Sequence, residues 1–67
     1  MKSTLKICDM ITSKDVTRIK NAISTNEGVI ACGIHKAKKE AEIVYDNNFI
    51  SIEEIIESIE NEGYMVI

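Results

Sequence analysis

A chain of 67 residues, 45% hydrophobic and free of proline and tryptophan, suits one element-rich domain spanning residues 1–67 and excludes a disordered segment. A core of this size rarely supplies more than about 3–5 kcal/mol, which leaves little for a lid or a deep pocket, so a carrier or contact module is expected and an enzyme is not. The net charge of −3 conceals a lopsided distribution: all eight basic residues precede Glu40, and from Glu40 onward there are eight acids and no base.

The opening stretch MKSTLKICDM lacks the apolar run of a signal peptide, and no segment approaches membrane-spanning length. A cytoplasmic chain with two reduced cysteines and no membrane insertion is therefore expected. Within STLKICDM (3–10), Leu5 and Ile7 alternate with Lys6 and Cys8, which predicts a half-buried strand. DMITSKD then leads into a helix with Val16, Ile19, Ala22 and Ile23 on one face, ending near Gly28. Thr12 or Ser13 is suited to the N-cap, and Asp15 would face the positive end of the helix dipole.

GVIACGIHK (28–36) predicts a second strand with Gly33 inside it, and KAKKE a polar turn. AEIVYD (41–46) predicts a third, with Ala41, Ile43 and Tyr45 set against Glu42 and Val44. The clearest helix follows: Ser51 and Glu54 form a capping-box pattern, and Ile52, Ile55, Ile56 and Ile59 recur at helical spacing. Gly63 is its natural stop, and YMVI is a short closing strand. The order β-α-β-β-α-β predicts a ferredoxin-like α+β sandwich: a four-stranded antiparallel sheet, in the order four, one, three, two, with both helices on one face.

These residues resemble the heavy-metal-associated domain family, which includes small cytosolic copper chaperones and the amino-terminal domains of metal-transporting P-type ATPases. The resemblance covers essentially the whole chain. It rests on Met10 before the first helix, EGV at 27–29, AEIVYD at 41–46 and IIESIENEGY at 55–64. The family's motif is Met-x-Cys-x-x-Cys. Counting from Met10, its thiols belong at positions 12 and 15, where this sequence has Thr12 and Asp15; Asp9 stands where the family has glycine. Cu(I) favours soft sulfur donors, and a hydroxyl with a carboxylate is a poor substitute. The resemblance thus implies a degenerate metal carrier whose ligands are lost. No resident cofactor is expected, and Cu(I) or another heavy metal would bind at low affinity. It further implies that Met10 lies beneath the loop and that Tyr64 packs beside it.

Cys8 and Cys32 do not replace the motif. Strand parity puts Cys8 on the outer face and Cys32 in the core, on strands one and two, which strand three separates by about 9–10 Å. That excludes a disulfide or shared metal between them. Cys8 with Met10 is the remaining candidate for a weak soft-metal site. His35 lies beside a lysine-rich turn, and neither it nor the cysteines have zinc spacing.

Three readings follow. The first is a copper-chaperone-like domain acting through protein contact or weak metal binding. The second is a true metal carrier with Cys8 and Met10 as ligands. The third is a small-ligand-sensing regulatory domain of the same topology, against which the absence of glycine from DMITSKD counts. The basic Lys14, Arg18 and Lys20 on the first helix, facing an acidic second helix, suggest electrostatic docking. The partner would be a metal-transporting P-type ATPase or another heavy-metal-associated domain, with weak self-association as a further outcome. Without stacking aromatics, the basic half is not read as a nucleic-acid surface.

Overall fold

The computed structural model describes all residues, 1–67. Its elements are β1 (Lys2–Lys6), α1 (Ser13–Ser24), β2 (Val29–His35), a 3-10 turn (Lys36–Lys38), β3 (Glu40–Tyr45) and α2 (Ile52–Asn61). Alternation decides the strands: Leu5 and Ile7 are buried, as are Ala41, Ile43 and Tyr45, while Lys6 is exposed. β3 lies between β1 and β2 and pairs antiparallel with both, so Leu5 and Ile34 sit on either side of Ala41.

Two parts of the sequence reading need correction. The sheet has three strands, not four. YMVI forms one bridge, Ile7 with Val66, flanked by bonds from Cys8 N–H to the Met65 carbonyl and from Ile67 N–H to the Lys6 carbonyl. It takes the predicted place beside β1, but Tyr64 leaves the pleat to pack in the core, and too few residues remain for a ladder. Secondly, α1 ends at Ser24, well before Gly28. Thr25 Oγ1 donates to the Ala22 carbonyl, and the Asn26 amide donates to those of Ala22 and Ile23, closing the helix with side chains. Gly28 instead opens β2 at a φ of 99°. KAKKE forms the expected polar turn, with a 3-10 segment at Lys36–Lys38 and Lys39 in the left-handed region at a φ of 55°.

The two helices cover one face of the sheet. Ile19 and Ile23 of α1 and Ile55 and Ile59 of α2 are fully buried, together with Ile7, Met10 and Ile43. Burying one such side chain stabilises the fold by about 1.5–3 kcal/mol. The buried set is apolar apart from the hydroxyls of Tyr45 and Tyr64. Arg18 of α1 reaches Glu62 just past α2, while Asn26 beyond the end of α1 meets Ser58, so the helices run antiparallel. The molecule consequently has two ends. At one lie the 9–12 loop, the Lys36–Lys38 turn and the carboxyl-terminal residues; at the other lie Gly28, Asp46 and the start of α2. No helix is long and apolar enough to cross a membrane.

Candidate functional site: the loop before the first helix

Thr12 is the N-cap of α1, with extended backbone (φ −105°, ψ 165°). Its Oγ1 accepts the Asp15 N–H at 3.2 Å, and Asp15 Oδ2 accepts the Thr12 N–H at 3.0 Å, a reciprocal capping box. Asp15 Oδ2 also accepts the Ile11 N–H at 3.1 Å. Ser13, the other candidate cap, is the first helical residue.

The second oxygen of Asp15 accepts a bond that local sequence reading did not supply: the Tyr64 hydroxyl donates to Oδ1 at 2.6 Å. Tyr64 is brought there by Gly63 (φ 92°), which turns the chain after α2, and its ring is buried. Arg18 lies over that ring, 5.6 Å from its centroid, within cation–π range. A Tyr64 hydroxyl donated to the carboxylate, followed by the Thr12 and Ile11 N–H groups, holds Asp15 far below the usual carboxylate range. The same bond pushes the Tyr64 phenol up, since ionisation would cost it the donor.

Asp9 completes the tie between loop and carboxyl terminus, its Oδ1 accepting the Met65 N–H at 3.1 Å. Beneath them Met10 is fully buried, as the resemblance implied. Its sulfur is therefore sealed from solvent, whereas Cys8 is half-buried and its thiol points to the Met65 carbonyl at 3.7 Å. Both cysteines are free. Cys32 is half-buried against the core, and this burial raises its thiol pKa. No group of three or more His, Cys, Asp or Glu side chains is arranged to hold a metal ion.

Of the three basic residues on α1, Arg18 is occupied: besides covering Tyr64, it approaches Glu62 at 3.8 Å and donates to that residue's carbonyl at 3.4 Å. Lys14 and Lys20 are exposed and outside the two ion pairs, Lys2–Glu42 and Arg18–Glu62.

No family model matches the chain, and no curated protein matches it either. Solved structures do. The CopZ metallochaperone superposes with a TM-score of 0.96 over 100% of both chains at 18% identity. The copper-binding domain of HMA7, a P-type ATPase, gives 0.94 at 23% identity, covering 98% of this chain and 89% of its own. The yeast copper transporter domain CCC2A gives 0.90 at 26% identity, covering 97% and 89%. The fold is that of heavy-metal-associated, copper-chaperone-like domains.

Proposed function

We propose that this chain is a copper-chaperone-like domain whose thiol pair has been exchanged for a hydrogen-bonded oxygen cap, so that it works by protein contact and binds metal weakly at most. The observation that carries this reading is the engagement of Asp15. One carboxylate oxygen takes the Tyr64 hydroxyl and the other takes two backbone N–H groups. Three of the carboxylate's roughly four acceptor sites are thereby taken, and oxygen donors are poorly matched to Cu(I). Cys8 offers a single half-buried thiol, and Met10 could join it only if the loop opened. A metal carrier built on that pair is thus less well supported.

The partner class proposed is a metal-transporting P-type ATPase or another heavy-metal-associated domain. The fold is shared with such domains, including one from a P-type ATPase. Exposed Lys14 and Lys20 provide a basic surface, and Arg18 braces Tyr64 rather than standing free. Contact of this type would be steered by charge and short-lived.

Anaerobic titration of Cu(I) against a strong competing chelator tests the reading. The wild-type chain should lose the metal to the chelator, while Thr12→Cys with Asp15→Cys should retain it. Stoichiometric wild-type binding under competition would falsify the exchange of function. A folded double variant that still ignores Cu(I) would show that the loop backbone, too, is unsuited to metal.

A further inference from the structure

At the end opposite the loop lies a groove of about 260 Å³ lined by Glu27, Gly28, Val29, Ile30, Asp46 and Phe49. Its apolar walls are open to solvent: Ile30 is 70% exposed and Phe49 71%. Backbone geometry sets both there. Ile30 falls within the register shift between Val29 and Ala31, and Phe49 lies in a turn whose N–H groups, its own and that of Ile50, return to the Asp46 carbonyl. The rim is acidic. Glu27 and Asp46 lie outside both ion pairs of the molecule, and Glu53 and Glu54 occupy the first turn of α2 at the same end.

The loop end has the inverse character. Ile11, 67% exposed, and Met65, 63% exposed, stand beside Lys14 in the first turn of α1. Lys36, Lys38 and Lys39 follow in a turn tied to the bridge residue Ile7 by the bond from Ile7 N–H to the Lys39 carbonyl. Of the acids nearest the loop, Glu62 is paired with Arg18, whereas Asp9 and Asp15 are bonded to neutral donors, which do not cancel a charge. Each end thus presents large apolar side chains, beside acids outside any ion pair at the groove and beside lysines outside any ion pair at the loop.

We infer that the groove receives the loop end of a second copy of this chain, with Ile11 entering between Ile30 and Phe49 and Lys14 meeting Glu27 and Asp46. The volume is large enough for a branched aliphatic side chain. The acidic rims of two grooves repel each other, which disfavours a two-fold contact through that end and favours the head-to-tail arrangement. A contact of this kind is heterologous, building a ring where its rotation closes and an open chain where it does not. The apolar area offered is small, so the association is weak and charge-steered. Because it covers Lys14, it competes with any other partner docking there.

Sedimentation velocity of the intact chain tests this. At low salt and high concentration the weight-average mass should rise at least about twofold. It should return to the monomer value near ~0.5 M salt, where the Debye length is ~4 Å. Phe49→Lys spoils the groove and Ile11→Glu spoils the plug, so each alone should stay monomeric. Both positions are exposed, and thermal melts should match wild type. Mixing the two variants leaves one good plug and one good groove, and the mixture should form dimers that grow no further. As a second route, Lys14→Glu should weaken wild-type assembly about tenfold, and adding Glu27→Lys should restore it. A wild-type chain that stays monomeric, assembly that survives either groove or plug variant, or a mixture without dimers would each overturn the inference.

Discussion

At the loop end, polar side chains hold the backbone. Asp9 takes the Met65 N–H, Thr12 and Asp15 cap each other, and Tyr64 reaches Asp15 from 49 residues away. At the far end, where Thr25, Asn26 and Ser51 also bond the backbone, a steric constraint is added: a Cβ on Gly28 would lie 2.8 Å from the Phe49 Cβ and 3.1 Å from the Ile50 Cγ2. The first kind of support is assembled from bonds worth about 1 kcal/mol each, and residues can be exchanged there without rebuilding the main chain. The second kind has no such tolerance, because a methyl group has nowhere to go. The loop is therefore the more tolerant of side-chain replacement, and the Gly28 region the less.

Both ends rest on α2, and the largest expected effect comes from weakening it. Ile55 and Ile59 are fully buried, so replacing either with alanine should cost about 2–5 kcal/mol, most of the stability of a domain this small. Chemical denaturation would measure it. If either variant unfolds at nearly the wild-type denaturant concentration, the shared foundation is not α2.

Gly28→Ala should come next. A left-handed φ costs an L-residue about 1–2 kcal/mol, and displacing Phe49 adds to this, for a total of about 2 kcal/mol. Adding Phe49→Gly removes the closest of the contacts and should recover part of the loss, leaving the backbone strain. A double-mutant cycle with no coupling between positions 28 and 49 would refute the steric account of the far end.

The smallest effect should come from the latch and should depend on pH. An unperturbed aspartate titrates near ~3.9, and Asp15 is held far below this, mainly by Tyr64. A depressed carboxylate stabilises the fold above its unfolded pKa and loses that contribution as pH falls from about 5 through its lowered folded value. Tyr64→Phe removes the principal cause, so the Asp15 carboxyl should titrate closer to the ordinary value. The stability gap between wild type and variant should be present near neutrality and shrink in acid. Carboxyl NMR titration and acid unfolding of the two proteins provide the measurements. An Asp15 titration unchanged by Tyr64→Phe would remove Tyr64 from the latch.

Much of this was legible from local spacing. The Leu5 and Ile7 parity, the alternation of Ala41, Ile43 and Tyr45, and the isoleucine stripe of α2 appear in the structure as read. Such patterns depend on the period of the backbone and on nothing distant. The second cap was legible only in part: Ser51 Oγ accepts the Glu54 N–H at 3.3 Å, but the Glu54 carboxylate meets the Ser51 hydroxyl instead of its backbone. Gly28 misled for the same local reason. A glycine after a helix suggests its stop, whereas Thr25 and Asn26 had already closed α1 and the glycine was needed for the approach of Phe49.

By itself the sequence determined the order of elements, the inward face of each, and the placing of Thr12 and Asp15 at the start of the first helix. These follow from periodicity and from bonds spanning four residues or fewer. Tertiary structure alone decided that Tyr64 would complete the Asp15 carboxylate, that Arg18 would lie over its ring, that YMVI would contribute only one bridge, and that Ile30 and Phe49 would share a groove. Each joins segments far apart along the chain, and their meeting is fixed by the antiparallel helices and the central place of β3, which no short stretch of sequence encodes.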